Sequence, residues 1–490
     1  MKPFLSNASA TPLFSWLLLA IALLRDIPIP ALAQPATAPA NSPPPPPNII
    51  FILADDLGYG DLGCYGQTKI KTPNIDKLAD SGMRFTSWYA GCTVCAPSRC
   101  SLMTGLHTGH ARIRGNATVP LQAGDVTVAE ILKQAGYKTA AFGKWGLGEE
   151  GSSGVPGKKG FDDWFGYLSQ VAAHDYYPTN LNRRDPEGRE REVPLPANQA
   201  GRKSSYSNDL FFQAALNYLR LNQSHSHRQT RPFFLYLPFT IPHANNELGA
   251  KTGNGMEVPD DAPYSHENWP QTEKNKAAMI TRLDSYVGGL MAQLAKYHLD
   301  TNTLVIFTSD NGPHKEGGVS PRFFNSSGPF RGIKRDLYEG GIREPLIVWW
   351  PGKVRSGTTN DFVCAFWDFL PTTAAIAGAS TPPGLDGISI LPTLLGQPQT
   401  RNHQFLYWEF HEDGFKQAVR TGDWKGVRFG VDGPLELYNL AADLSEKTNV
   451  AAAHPDIVAR IEDYLKTART EDKNWPTKSA AQTSKKEHGL

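Results

Sequence analysis

Short apolar runs alternate with amphipathic stretches along most of the chain, and that alternation predicts an α/β fold. Strands are expected at 48–54, 138–142, 232–237, 303–308 and 346–350. These runs are apolar throughout rather than at every second position, as suits strands buried on both faces of a large, mostly parallel sheet. Flanking helices are expected at 74–82, 127–135, 208–222, 273–298 and 366–377, the second with Thr127 as its N-cap and Gly136 as its stop. Segments 149–205 and 244–270 are rich in Gly, Pro and polar residues and read as long surface loops, the kind that shape pockets in α/β proteins. From about 397 the texture changes to short strands, turns and one terminal helix near 455–469, which predicts a small α+β subdomain. The expected division is a sheet domain over 48–396, the subdomain over 397–475 and a polar tail over 476–490.

The start of the chain has a different logic. An apolar run over 14–24 ends near Ala31-Leu32-Ala33, a small-x-small cleavage pattern, so 1–33 read as a signal peptide. The run is too short to span a bilayer comfortably, and membrane contact is expected only through this segment. An uncleaved anchor is the competing reading of the same residues. Residues 34–47 close in five successive prolines and form a stiff spacer. Together these features predict an exported protein, periplasmic or secreted.

Composition narrows the function. The chain of 490 residues carries a formal net charge of +1, and without the first 33 residues the balance is zero. That argues against nucleic acid as a partner, because such binding needs a broad basic surface. Five cysteines are too few and too odd in number for a disulfide scaffold.

The informative polar residues sit where the strands end. Asp55 and Asp56 follow the first strand, Lys144 the second, His243 the third, and Asp310 with Asn311 the fourth. Ligands of open α/β sheets bind beyond the carboxyl ends of the strands. Asp55, Asp56, Asp310 and Asn311 offer only hard oxygen donors, which favours Ca²⁺, with Mg²⁺ as the alternative, over zinc.

The most specific segment is Cys95-Ala-Pro-Ser-Arg-Cys-Ser-Leu-Met-Thr-Gly105. A disulfide or metal knuckle from Cys92, Cys95 and Cys100 would leave its Pro-Ser-Arg spacing unexplained. The segment resembles the signature of the sulfatase family, in the alkaline-phosphatase superfamily. Further stretches follow in family order: 49–63, 105–109, Gly143-Lys-Trp145, 232–243, 309–312, 328–345, 422–425 and 436–440. The resemblance covers roughly 48–470, and 151–205 is similar to bacterial arylsulfatase or N-acetylgalactosamine-6-sulfatase-like proteins.

The resemblance implies an alkaline-phosphatase-like sheet and a sulfuric ester hydrolase. It implies that Cys95 is converted to formylglycine by a maturation enzyme and serves both as nucleophile and as a metal ligand beside Asp55, Asp56, Asp310 and Asn311. Arg99 would hold the formylglycine hydrate, Lys144 and Lys334 would bind the sulfate oxygens, and His243 would protonate the leaving group. One departure matters. Many relatives carry a histidine two residues after the strand-end lysine, and here that position is Gly146. His174 and His314 are the candidate replacements, while His107 and His110 read as braces of the helix–loop junction. Aromatic and polar residues over 164–183 (Trp164, Tyr167, Tyr176, Tyr177, Asn180, Asn182 and Arg183 beside His174) would suit a sugar, although loop packing accounts for most of them; with the resemblance of 151–205, the expected substrate is a sulfated carbohydrate or an aryl sulfate. The alternatives are a formylglycine-dependent phosphonate or phosphate-ester hydrolase and an inactive glycan-binding relative.

Overall fold

The computed structural model describes residues 45–223 and 231–477. The signal segment, nearly all of the proline spacer and most of the polar tail lie outside the described residues. Among the described residues no helix is long and apolar enough to cross a membrane.

The main sheet has eleven strands. In chain order they are β1 (Asn48–Ala54), β2 (Met83–Tyr89), β3 (Lys138–Lys144), β4 (Asp163–Tyr167), β5 (Asn180–Arg184), β6 (Glu190–Pro194), β7 (Phe233–Pro238), β8 (Thr303–Ser309), β9 (Arg343–Trp349), β10 (Thr358–Asn360) and β11 (Cys364–Ala365). Their spatial order is β10-β2-β9-β8-β1-β7-β3-β4-β5-β6, with β11 beside β2. The middle five, β8-β1-β7-β3-β4, are all parallel. Strand β9 runs antiparallel to β8 and β2, and the β5–β6 hairpin extends the far edge antiparallel.

Both faces of the sheet are covered. Along β1, Ile50 and Ile52 point into one apolar core with Leu78, Leu219 and Leu283. These come from helices α1 (Pro73–Asp80), α4 (Ser207–Leu221) and α6 (Gln271–Lys296); α5 (Asn246–Thr252) lies in the segment between β7 and α6. Ile49, Phe51 and Leu53 point the other way, toward Leu102, Leu132 and Leu370 of α2 (Cys95–Thr104), α3 (Val128–Gln134) and α8 (Phe369–Ala377). The short α7 (Glu339–Ile342) precedes β9. This two-sided burial is why β1 reads as a continuous apolar run. Helix α3 starts as the sequence predicts: Thr127 accepts from Glu130 N–H, and the Glu130 carboxylate returns the bond to Thr127 N–H.

Beyond the short α9 (Leu391–Leu394) comes a separate antiparallel sheet, β12 (Leu406–Phe410), β13 (Lys416–Thr421), β14 (Trp424–Phe429) and β15 (Leu435–Asn439), closed by α10 (Pro455–Leu465).

The expected loops are partly regular. Within 149–205, β4 joins the parallel core and β5 and β6 form its edge. Within 244–270, Asn245 caps α5 by accepting from Leu248 N–H. All five cysteines are free thiols, and among the described residues no group that could hold a metal ion brings Cys92, Cys95 and Cys100 together.

Candidate active site

Parallel strands deliver their carboxyl ends to one rim, and the predicted residues meet there. Residues Ala54 and Ser309 are opposite each other at the ends of β1 and β8. Asp310 N–H then donates to Ala54 O, and Asp55 N–H to Ile241 O, so the exit of β1 is tied to the exits of both β8 and β7. Asp56 takes a left-handed conformation, φ 64°. Its N–H donates to Asp310 Oδ1 at 3.1 Å, and its Oδ1 accepts from Asn311 Nδ2 at 2.7 Å.

Every residue of α2 is buried, from Cys95 at its first position to Thr104, and Gly105 ends it at φ 72°. Arg99 lies one turn beyond Cys95 on the same face. Its guanidinium grips Asp310 Oδ2 through Nε (2.9 Å) and a terminal nitrogen (2.8 Å), and its other terminal nitrogen donates to Lys144 O at 2.7 Å. Ser98 Oγ donates to Asp310 O at 2.5 Å, fixing the helix to the end of β8.

Three carboxylates and three cations alternate around the thiol. Lys144 Nζ is 2.7 Å from Asp55 Oδ2, and Lys334 Nζ is 2.8 Å from Asp56 Oδ2. Cys95 Sγ lies 3.5 Å from Asp55 Oδ1. Burial pushes all three carboxyls toward the neutral form. Lys144 and Arg99 overrule it at Asp55, and Lys334 foremost at Asp56, holding both well below the usual carboxylate range. Asp310 goes the other way: burial and the neighbouring Asp55 charge raise it despite Arg99. Burial, then Asp55, push the Cys95 thiol far above its ordinary range.

His243 Nδ1 donates to Ala244 O at 2.7 Å, which leaves Nε2 as the acceptor for Lys334 Nζ at 3.1 Å. Burial and the Lys334 charge lower its pKa to about 3. The ring of His174 stacks on His243 at 4.9 Å and 13°. His174 Nδ1 lies 3.1 Å from a Glu247 carboxylate oxygen, which makes Nε2 the ring's acceptor. His314 is 5.9 Å from His243 between ring centres; its Nε2 lies 3.1 Å from Pro242 O, and its Nδ1 is buried 3.3 Å from a Glu316 carboxylate oxygen with no hydrogen bond between them. His107 and His110 are elsewhere. They stack at 4.5 Å and hold Asp386, whose N–H donates to Gly105 O, so they brace the end of α2.

The donor set fits a hard cation. Asp55, Asp56, Cys95 and His243 bring ligand atoms within 4.8 Å of one another. Asp310 and Asn311 join through their bonds to Asp56, and Asn311 Oδ1 is buried with no hydrogen-bond donor. An unpaired buried carbonyl beside three buried carboxylates is an incomplete oxygen shell.

Of the residues over 164–183, Trp164, Tyr167 and Tyr176 are core residues, as the packing reading has it, and Tyr176 donates to Thr240 O. Arg183 is paired with Asp163 at 2.9 Å. Three residues enter that sequence reasoning missed. Glu316 pairs with His314 and Arg335, Glu247 orients His174, and Asn116 Oδ1 accepts from Ala96 N–H beside the thiol. Glu316 stands two residues after His314 and could have been suspected; Asn116 and Glu247 carry no local signal.

Inward-facing cations at the rim of a parallel sheet define a site for an anionic ester. The comparisons with known proteins agree. Residues 47–379 match the family described as Sulfatase, and 331–471 match that described as N-sulphoglucosamine sulphohydrolase, C-terminal. Arylsulfatase A of Homo sapiens is 33% identical over 480 residues, covering 85% of this chain and 86% of the relative. N-acetylgalactosamine-6-O-sulfatase of Bacteroides thetaiotaomicron is 30% identical over 503 residues, covering 86% and 93%. Among solved structures, Ps i-CgsB in complex with k-i-k-neocarrahexaose superposes with a TM-score of 0.75 at 27% identity, covering 90% of this chain and 97% of that one. The chain belongs to the sulfatase family and is a sulfuric ester hydrolase.

Proposed function

We propose that this enzyme is exported and hydrolyses a sulfate monoester on a sulfated carbohydrate, using a formylglycine made from Cys95, with release of inorganic sulfate. The observation that carries the reading is the Cys95 environment: the thiol is buried at the first position of α2 inside a closed cage of carboxylates and cations, 3.5 Å from Asp55 Oδ1. Relatives named for N-acetylgalactosamine-6-sulfate, and a structural neighbour described with a neocarrahexaose, support a carbohydrate.

Formylglycine supplies a hydrated aldehyde as the nucleophile toward sulfur, and a divalent cation, when bound, supplies the charge that polarises nucleophile and ester. Asp55, Asp56, Asp310 and Asn311 would hold the cation together with residue 95; Ca²⁺ suits the oxygen set, with Mg²⁺ the alternative. The rest falls to the chain's own side chains. Arg99, clamped by Asp310 and Lys144 O, fixes the orientation of residue 95. Lys144 and Lys334 bind the sulfate oxygens and stabilise the charge of the transition state. The Lys334–His243 pair holds the proton that passes to the leaving oxygen. His174, oriented by Glu247, is the base that glycine at 146 cannot be.

The test is sulfate release. Enzyme from a host that performs the conversion is given sulfated oligosaccharides, aryl sulfates and aryl phosphonates in parallel. Sulfate release from the oligosaccharides, with the highest kcat/KM there, is expected. Faster cleavage of phosphonate than of any sulfate would overturn the reading.

A further inference from the structure

Lys334 sits in a closed loop. Gly340 N–H donates to Arg331 O at 2.7 Å, so residues 331–340 leave and return at one point. The tip of the loop is tied to the catalytic rim. Lys334 N–H donates to Pro313 O, and Arg335 N–H to the carbonyl of Thr93, just before Cys95. Arg335 is left-handed at φ 76°, a conformation that a non-glycine residue keeps only when its surroundings hold it. The base of the loop packs on the turn that carries Asp310 and Asn311. A Cβ at Gly312 would meet Gly340 O at 2.1 Å, and Gly312 N–H donates to Gly341 O at 3.2 Å.

What holds the base comes from the other sheet. Lys425 lies on β14, on the same face as Val427, which packs with Leu337 and Tyr338. Its ammonium is wholly buried, 2.8 Å from Glu339 Oε1 and 3.1 Å from Glu446 Oε1. Glu446 Oε2 in turn accepts from Glu339 N–H at 2.7 Å. The second oxygen of Glu339 accepts from Arg343 at 3.0 Å and from Tyr89 OH at 2.6 Å. Beside it Tyr338 OH donates to Glu436 at 2.7 Å. At the other end of the loop Arg331 donates to Glu446 O at 2.8 Å and to Tyr438 OH at 3.1 Å, its guanidinium 3.7 Å from the centre of the Tyr338 ring. The stretches 422–425 and 436–440 supply nothing to the cage around Cys95, yet both converge on the base of the Lys334 loop.

We propose that Lys425 is a positioning residue for catalysis: through Glu339 it fixes the base of the 331–340 loop, and so the placement of Lys334 against His243 and Asp56. The inference rests on the role given above to the Lys334–His243 pair. A buried ion pair stabilises a fold little better than an apolar contact of the same size; what this one provides is a defined geometry. Lys334 Nζ must meet Asp56 Oδ2 at 2.8 Å and His243 Nε2 at 3.1 Å together, and a misplacement of about 1 Å at such a group costs about a hundredfold in rate.

The test uses enzyme converted at residue 95, with rates counted per converted molecule, on two aryl sulfates, one with a weakly acidic phenol and one with a strongly acidic phenol. Lys425→Met removes the charge at similar length. Lys425→Met/Glu446→Gln removes one charge of each sign, so no buried carboxylate is left over. Arg331→Met loosens the other end of the loop from an exposed position. His243→Ala is the reference. In Lys425→Met, kcat on the weakly acidic leaving group should fall about tenfold more than on the strongly acidic one, the same bias that His243→Ala shows. The double variant should regain thermal stability and keep the bias, and Arg331→Met should show it more weakly. Lys425 variants slowed equally on both substrates, or on neither, overturn the positioning role, because a loss of folded enzyme does not separate leaving groups. Where neither Lys425 variant folds, Arg331→Met decides: the bias supports the role and its absence overturns it. His243→Ala without the bias overturns the proton-transfer reading, and the inference with it.

Discussion

Lys334 donates to the Nε2 of His243 across 3.1 Å, inside a site from which both are almost closed to solvent. With its Nδ1 turned to Ala244 O, His243 presents Nε2 to Lys334, and burial with the Lys334 charge favours the neutral ring, so the mobile proton is on the lysine side. The leaving oxygen therefore draws its proton from a coupled pair. His243→Ala should lower kcat about 10²–10⁴-fold on alkyl or sugar sulfates, the usual weight of general acid catalysis. The loss should shrink on aryl sulfates whose leaving phenol is acidic. A loss independent of the leaving group would remove His243 from proton transfer.

Arg99 is a structural clamp as much as a catalytic one. It is wholly buried and holds Asp310 with a two-pronged contact that lysine cannot reproduce. Arg99→Ala leaves Asp310 without its partner, a loss of about 3–5 kcal/mol for a buried pair. Thermal unfolding should show Arg99→Ala far below wild type and Arg99→Ala/Asp310→Asn closer to it. Additive losses in the double variant would contradict the clamp.

The buried oxygen shell predicts linked loss of stability and turnover on chelation. A cation present at a hundred times its Kd stabilises the native state by about 2.7 kcal/mol. EGTA or EDTA should lower the unfolding midpoint and stop sulfate release, and Ca²⁺ or Mg²⁺ should restore both. Asn311→Ala should raise the cation concentration needed for the midpoint shift. A midpoint indifferent to chelator would speak against a cation among these residues.

His107 makes stability depend on pH away from the catalytic cage. Burial, partly offset by Asp386, lowers its pKa to about 4 from 6.5. The folded state then binds fewer protons than the unfolded chain between pH 6.5 and 4, so stability falls as pH falls through that window. At about 1.4 kcal/mol per pKa unit the full loss is on the order of 3 kcal/mol. His107→Gln should unfold at a midpoint that drops less between pH 7 and pH 4 than wild type does. Parallel pH profiles would assign the acid sensitivity to other groups.

The centre of this molecule is legible in its sequence because geometry there is repetitive. Strands buried on both faces must be apolar throughout, and parallel strands must place their following residues on one rim. Asp55, Lys144, His243 and Asp310 are found that way, and the structure brings them together. The sheet edge is less legible. Strand β6, Glu190–Pro194, is mostly exposed and polar, so no apolar pattern marks it. A register irregularity between Phe85 and Trp88 breaks the alternation that would have announced β2. Pairings made only by folding leave no trace at either position alone: Gln170 against Gly146, Glu247 against His174 and Asn116 against Ala96 join residues 20 or more apart in the chain.

The account turns on what residue 95 is in the working enzyme. Mass spectrometry of the peptide containing Cys95, from protein with measured sulfate release, reads it directly. The prediction is the mass loss of thiol-to-aldehyde conversion, in a fraction of molecules that rises in step with specific activity. Fully active enzyme with an unmodified Cys95 would contradict it.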